Sequence, residues 1–261
     1  MDSLPEILLL IPGFIAGLID SVAGGGGLIT VPSLSLVVGA GAKAIGTNKM
    51  AAVCSSLAAL AVYRSQGHVR IKGNRIFAIL TGMGAALGAL VSPSIPPDAY
   101  KGVLLTVCPI MLLLVYNKDL WTRREIEDRE THHADGQSSG KPKFSWTWGF
   151  WLAGLACGFY DGVAGPGGGT LMFISLFVIA KMPLVASIAT AKVANLSSAS
   201  VSLATFAVTG NVIWTKGVWV AVGISFGAFL GAKLATKRAA PVARIALLVA
   251  ASLLILKLAF S

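Results

Sequence analysis

The chain has 261 residues, of which 55% are apolar and only 12% are charged. Its mean hydropathy of +0.78 excludes an ordinary soluble domain. Since a membrane-spanning helix needs about 20 apolar residues, the composition predicts an all-α polytopic membrane protein that is embedded in a lipid bilayer. The net charge of +10 does not indicate nucleic-acid binding, because no basic patch with interleaved aromatic residues accompanies it.

The apolar segments form two sets with the same order along the chain. The first set is 4–22, 28–39, 44–64, 76–96 and 101–117, and the second is 146–164, 170–180, 184–209, 217–236 and 242–260. The second segment of each set is too short to cross a hydrocarbon core of about 30 Å, and it directly follows a run of glycines. This pattern predicts a helical hairpin that enters the membrane, breaks at the glycines and returns.

The two sets are also similar in sequence. GLIDSVAGGGG at 17–27 returns at 158–168 as GFYDGVAGPGG, with seven of eleven positions identical. Further along, TNK at 47–49 corresponds to TAK at 190–192. Similarity of this kind indicates an internal duplication. The chain therefore divides into a first transmembrane repeat, a charged linker and a second transmembrane repeat, at 1–117, 118–145 and 146–261.

The relative orientation of the two repeats depends on the number of passes in each. A re-entrant hairpin plus three crossings makes them inverted repeats, whereas four full crossings in each make them parallel. The inverted arrangement places fifteen of eighteen loop lysines and arginines on one side, and the parallel arrangement divides them eleven to seven. Because cytoplasmic loops are enriched in positive charge, the sequence favours inverted repeats, with both termini outside and the linker 118–145 in the cytoplasm.

Two acidic residues stand inside strongly apolar surroundings, and both belong to the repeated motif. They are Asp20 and Asp161, whereas the linker carries six of the eleven acids. An ionisable group at that depth indicates a functional site. Three roles remain open for the two carboxylates: they tether the glycine tip through its N–H groups, pair with Lys49 and Lys192, or take up a proton during transport.

The glycine runs predict a site for an anion. Glycine lets successive N–H groups turn inward because no Cβ obstructs them, and such a nest suits an anion. The alternative is that these glycines only permit a tight turn. The candidate glycines are Gly24, Gly25, Gly26 and Gly27 in the first repeat and Gly165, Gly167, Gly168 and Gly169 in the second.

Other glycines have the small-xxx-small spacing that lets helices approach closely in lipid. Four pairs have it, and no function needs to be invoked for them. They are Gly13/Gly17, Gly84/Gly88, Gly154/Gly158 and Gly227/Gly231.

The second repeated charge is a lysine near the start of a long apolar helix. Lys49 and Lys192 each follow a threonine by two residues, and an ammonium with a hydroxyl can hold an oxyanion. Alternatively, the lysines extend to the membrane interface. Asn195 is a weaker candidate, since an interhelical hydrogen bond explains it equally well. The remaining candidate ligands in this group are Thr47, Asn48 and Thr190.

With the doubled glycine-acid motif and the TNK/TAK pair, the chain resembles the TauE/SafE sulfite exporter family over nearly everything outside 118–145. The resemblance implies a transporter of the bacterial cytoplasmic membrane for small sulfur-containing anions, such as sulfite or organosulfonates, usually in the export direction. Pro166 stands where the first repeat has Gly25, and Ala191 where it has Asn48. The two half-sites are therefore not equivalent.

We therefore predict a secondary carrier that binds its anion at the midplane, between the two glycine tips. The proton gradient or the membrane potential would drive it, and export of a monoanion needs no proton coupling, because a negative-inside potential supplies roughly 2.3 kcal/mol per charge per 100 mV. An anion channel and a cation-coupled carrier with Asp20 and Asp161 as ligands remain as alternatives. Without a nucleophile–base pair or a metal-ligand cluster, we expect no enzymatic activity, no cofactor and no metal. The oligomeric state is left open.

Overall fold

The computed structural model describes residues 6–67, 71–100, 102, 105–106, 148–182 and 184–235. Every regular element in these ranges is a helix, so the predicted all-α architecture is confirmed for them. The linker 118–145 and the segment 242–260 lie outside the described residues, as does most of 101–117.

Four described helices fall in each predicted repeat, and each overlaps one predicted apolar segment, with boundaries that differ by six residues or fewer. The first repeat contains α1 (Leu10–Ala23), α2 (Gly27–Val38), α3 (Ala42–Ser65) and α4 (Ile71–Val91). The second contains α5 (Trp148–Val163), α6 (Gly168–Ile174), α7 (Leu184–Val208) and α8 (Trp214–Ala235). A π-helical turn, Ser175–Ile179, extends α6. In both repeats, two short helices flank a glycine break and two long helices follow.

Among the described residues, many large apolar side chains are exposed while two acids and two lysines are buried, which is the reverse of a soluble protein. On α4, Ile79, Met83, Leu87 and Leu90 are each more than half exposed. Three of the described helices are long and apolar enough to cross a membrane, namely Ala42–Ser65, Arg75–Ser94 and Trp214–Leu234. An exposed apolar belt around long helices fits a protein whose solvent is lipid.

Glycine faces hold the short helices of one repeat against the long helices of the other. A Cβ at Gly17 of α1 would lie 2.2 Å from the backbone oxygen of Ile224 on α8, and a Cβ at Gly84 of α4 would lie 2.2 Å from that of Leu155 on α5. The other glycines of the four predicted pairs face a neighbouring helix within 3.0 Å of such a Cβ. The predicted close helix contacts are therefore confirmed.

The corresponding long helices α3 and α7 pack against each other in opposite directions. Near the middle of α3, Ser56 accepts a hydrogen bond from the Asn195 amide of α7 at 3.0 Å. Further toward the end of α3, Tyr63 clusters with Ala189, which lies nearer the start of α7. Residue numbers thus rise along one helix while they fall along the other, so α3 and α7 run antiparallel.

Candidate functional site

The two glycine breaks touch each other in the interior. Gly24 ends α1 in the left-handed conformation, with φ of 75°, and its N–H bonds to the Asp20 carbonyl at 2.9 Å. A Cβ at Gly24 would lie 2.7 Å from the backbone of Gly169, and a Cβ at Gly27 would lie 3.3 Å from that of Pro166. A left-handed φ and backbone-to-backbone contact both require glycine at position 24.

Asp20, in the last turn of α1, is buried and accepts hydrogen bonds from three donors. The Lys192 ammonium lies 2.6 Å from its Oδ2 atom, and the Ser55 hydroxyl donates to the same oxygen at 2.5 Å. The Gly26 N–H donates to Oδ1 at 3.2 Å. One carboxylate therefore both pairs with a lysine and holds the glycine break, which are two of the three roles that its sequence environment left open.

Asp161, in the last turns of α5, has a matching set of neighbours. The Lys49 ammonium lies 2.9 Å from its Oδ2 atom, and the Ser198 hydroxyl donates to that oxygen at 2.5 Å. Lys49 also donates to the main-chain carbonyl of Asp161. The side chains of Lys49 and Asp161 are only 1% and 5% exposed, so this ammonium ends on a buried carboxylate and does not extend to the interface.

Each ion pair crosses from one repeat to the other. Asp20 of the first repeat pairs with Lys192 of the second, and Asp161 of the second pairs with Lys49 of the first. Breaking a buried pair of this kind leaves an uncompensated charge and costs about 3–5 kcal/mol. The pairs therefore fix each glycine break to the long helix of the opposite repeat.

A small pocket opens where the two breaks meet. Its polar lining includes both carboxylates, the amides of Asn48 and Asn195, and Thr30. The Thr30 hydroxyl lies 2.5 Å from the Asn48 side-chain oxygen. The predicted glycines on its wall are Gly24, Gly27, Gly165, Gly167 and Gly169. A second small pocket shares Gly24, Gly169 and Asn195 with the first, and its lining also includes Lys192.

Two of the predicted glycines serve the carboxylates. A Cβ at Gly26 would lie 2.7 Å from the Asp20 side chain, and a Cβ at Gly168 would lie 2.4 Å from Asp161 Oδ1. Gly25 is buried and does not line the pocket. Some glycines of the two breaks therefore line the pocket, whereas Gly26 and Gly168 leave room for the carboxylates.

The two predicted threonines do not line the pocket. The Thr47 hydroxyl donates to the Lys43 carbonyl at 2.6 Å and accepts from the Ile213 N–H at 2.9 Å, so it joins α3 to the start of α8. Thr190 is buried on α7 and does not line the pocket. The Thr47 hydroxyl therefore takes part in the contact between α3 and the start of α8.

Sequence reasoning missed the serines of this site. Ser55 and Ser198 correspond to each other in the two repeats, at the same spacing that relates Lys49 to Lys192, and each bonds one carboxylate. That repeated spacing was the signal that could have identified them. Ser56, which accepts the Asn195 amide, has Ala199 at the corresponding position and could not have been found in this way.

No group of three or more His, Cys, Asp or Glu residues suitable for a metal ion occurs within the described ranges. The charged side chains that line the pocket are Asp20 and Asp161, and each forms a buried ion pair with a lysine. Buried ionisable residues of this kind inside a helical membrane protein mark a pathway for a substrate or an ion. Fold and site together define the class of a polytopic membrane transporter.

Comparison with known proteins agrees with this class. The family model for the sulfite exporter TauE/SafE matches residues 9–258, so the chain belongs to the TauE/SafE sulfite exporter family. A probable membrane transporter protein, ORF9, of a Sinorhizobium species is 30% identical over 96% of this chain and 90% of its own length. One from Haemophilus influenzae is 33% identical over 87% and 84% of the two chains. The probable membrane transporter protein YfcA of Escherichia coli is 29% identical over 97% and 89%. No solved structure matches the chain.

Proposed function

We propose that this protein is a secondary transporter that binds small sulfur-containing anions, such as sulfite or organosulfonates, between its two glycine breaks and exports them across the bacterial cytoplasmic membrane. The observation that carries the proposal is the contact between the two breaks beside two buried ammonium groups. Membership of the sulfite exporter family supports the choice of substrate class.

The repeats are inverted in this proposal, and each contributes one re-entrant hairpin. Support comes from the antiparallel packing of the corresponding helices α3 and α7. It also comes from the length of α2, whose 12 residues span about 18 Å at 1.5 Å per residue, well short of a hydrocarbon core of about 30 Å. Inverted-repeat transporters place their substrates where such broken helices meet.

Anion binding requires a rearrangement of the ion pairs. Both lysines bond to carboxylates in the structure, while the pocket wall offers glycine backbone and the Asn48 and Asn195 amides. We propose that these groups receive the anion first and that one ammonium then moves from its carboxylate to the substrate. In this proposal, rocking of the hairpins exposes the anion site to one side of the membrane and then to the other. A change in an ion pair would affect this motion, because each ion pair joins a hairpin to the opposite repeat.

One observation favours a second candidate, a cation-coupled carrier. Asp20 and Asp161 line the larger pocket, together with amide and hydroxyl oxygens, and oxygen ligands suit hard cations. Such a carrier would need sodium for transport. An anion carrier of the proposed kind would not.

Counterflow in proteoliposomes tests the proposal. Vesicles loaded with an excess of unlabelled sulfite, alkanesulfonate, thiosulfate or carboxylate would be diluted into labelled anion, with and without sodium. We expect transient accumulation of label for the sulfur anions and none for the carboxylates. A channel would show no counterflow, and counterflow confined to carboxylates or strictly dependent on sodium would contradict the proposed substrate class and mechanism.

A further inference from the structure

The pocket at the glycine breaks is electrically balanced as it stands. Lys49 and Lys192 each face one carboxylate, with N–O distances of 2.9 and 2.6 Å. All four side chains are nearly completely buried. Two positive and two negative formal charges cancel, so the empty site is neutral.

A bound anion would disturb this balance. A monoanion at the pocket would leave one uncompensated negative charge in a buried site, close to the Asp20 and Asp161 carboxylates that line it. Burying an unpaired charge is strongly unfavourable. Protonation of one carboxylate would restore neutrality, release its lysine for the substrate and turn a repelling oxygen into a hydrogen-bond donor.

We propose, on the basis of the function proposed above, that the anion is carried together with one proton bound at Asp161, so that transport of a monoanion is electroneutral. The proton enters from water on the side where the anion binds, occupies a carboxylate oxygen of Asp161, and leaves with the anion on the opposite side.

The hydrogen-bond donors around the two acids favour Asp161 over Asp20 as the proton site. The Asp20 carboxylate accepts from an ammonium, a hydroxyl and the Gly26 N–H, whereas the described donors to the Asp161 carboxylate are Lys49 and Ser198. Hydrogen bonds to a carboxylate favour its charged form. The acid with fewer donors therefore takes the proton first.

The surroundings of Asp161 support this assignment. Lys49 keeps its bond to the Asp161 main-chain carbonyl, so the ammonium stays at the site after the carboxylate becomes neutral. The other titratable groups of the described residues that face Asp161 are Cys157, one turn earlier on α5, and, across the pocket, Asp20 with Lys192.

Charge also decides between cotransport and exchange. In cotransport, the empty site and the loaded, protonated site are both neutral. In proton–anion exchange, the site would hold the anion without the proton in one direction and the proton without the anion in the other. Both states would bury a net charge, so cotransport is favoured. The direction of transport would then be set by the concentration gradients of the anion and the proton together, without the contribution of the membrane potential that the sequence suggested.

The test uses an alkanesulfonate, which stays a monoanion over the working pH range, in proteoliposomes that contain a luminal pH dye. We expect net uptake to acidify the lumen by about one proton per anion. We also expect accumulation to be independent of a potential set with potassium and valinomycin. An uncompensated monoanion would change its accumulation ratio about 50-fold per 100 mV. That dependence, an unchanged luminal pH or luminal alkalinisation would overturn the inference.

The variant Asp161→Asn removes the proton site while keeping the shape of the side chain. We expect alkanesulfonate counterflow to persist, net uptake to occur without luminal acidification, and accumulation to follow the potential. The control Cys157→Ser changes the neighbouring thiol, and about one proton per anion should still move. A proton that still moves with the anion in Asp161→Asn would contradict the assignment. If that variant does not fold, the measurements on the wild-type protein still decide whether a proton moves with the anion.

The two proposals fail in different ways. Loss of all sulfur-anion counterflow would refute the proposed function and, with it, this inference. Counterflow with electrogenic net transport would refute the coupling alone.

Discussion

A lysine with 1–3% exposure is rarely tolerated in a membrane protein unless its charge is compensated. Lys49 and Lys192 meet this condition through carboxylates that lie on the opposite repeat. The ammonium of Lys192 and the Ser55 hydroxyl share one oxygen of Asp20. Removal of one partner would therefore lower the stability of the protein more than removal of both, because it leaves a buried charge without a counter-ion.

Stability measurements on the pair Asp20–Lys192 test this point. We expect Lys192→Met to destabilise the protein by about 3–5 kcal/mol, because Asp20 stays buried without a cation. We expect the double variant Asp20→Asn/Lys192→Met to recover most of the loss. The measurement is the thermal unfolding midpoint in detergent.

Lys43→Met is the matched control, since Lys43 is an exposed lysine on α3. It should leave the midpoint within the change of an ordinary surface substitution, about 0.5 kcal/mol. A double variant as unstable as Lys192→Met would show that the charge pair is not what stabilises this contact.

At the residue scale, sequence reasoning identified the two acids and the two lysines because each occurs at corresponding positions of the two repeats, the acids beside a glycine run and the lysines near the start of a long helix. It could not assign the pairs. Asp20 lies 29 positions from Lys49 and 172 from Lys192, and only the packing of one repeat on the other decides which lysine it meets. The position of Thr47 could not be predicted for the same reason. Its hydroxyl accepts a hydrogen bond from the Ile213 N–H, which belongs to the second repeat.

At the scale of helices, the glycine spacing carried most of the information. It predicted close contacts but not the partner helix, since the same face of α1 could have packed on any small-residue surface. The structure pairs α1 with α8 and α4 with α5, each across the two repeats. The π-helical turn Ser175–Ile179 has no signal in the apolar pattern, because that pattern changes little when one residue is added to a turn.

The substitution Gly17→Ala tests the α1–α8 contact. Alanine favours a helix over glycine by about 1 kcal/mol, but the new Cβ would lie 2.2 Å from the Ile224 carbonyl. We expect a net destabilisation of about 1–3 kcal/mol and a reduced yield of monodisperse protein on size-exclusion chromatography in detergent.

The comparison variant Gly102→Ala gives the same gain in helix propensity without a clash, since no atom of the described residues lies within 4 Å of the new Cβ. Its unfolding midpoint should be equal to or above that of the wild-type protein. If Gly17→Ala were as stable as Gly102→Ala, backbone contact between α1 and α8 would not be what holds the two repeats together.

On the scale of the whole molecule, topology is the property that decides how the site alternates. Gln66 follows α3, and Thr209 is the corresponding residue after α7. The helices α3 and α7 run antiparallel. If both cross the membrane, as inverted repeats require, the two residues lie on opposite sides of it. Parallel repeats would place them on the same side.

Single cysteines at these positions test the orientation, in a background where Cys54, Cys108 and Cys157 are replaced. In intact cells, we expect a membrane-impermeant maleimide to label Thr209→Cys and not Gln66→Cys, whose loop carries the positive charge of a cytoplasmic side. After permeabilisation both should react. Labelling of both cysteines in intact cells would rule out inverted repeats.

The crossed ion pairs also set an order of events during synthesis. Chains grow at about 5–20 residues per second, so the 172 residues between Asp20 and Lys192 correspond to roughly 10–30 s of translation. Throughout that interval, the first helix with its acid exists before its counter-ion has been made. A half-length product would contain one acid and one lysine whose partners belong to the other half. Complete translation is therefore a condition for either of the observed ion pairs to form.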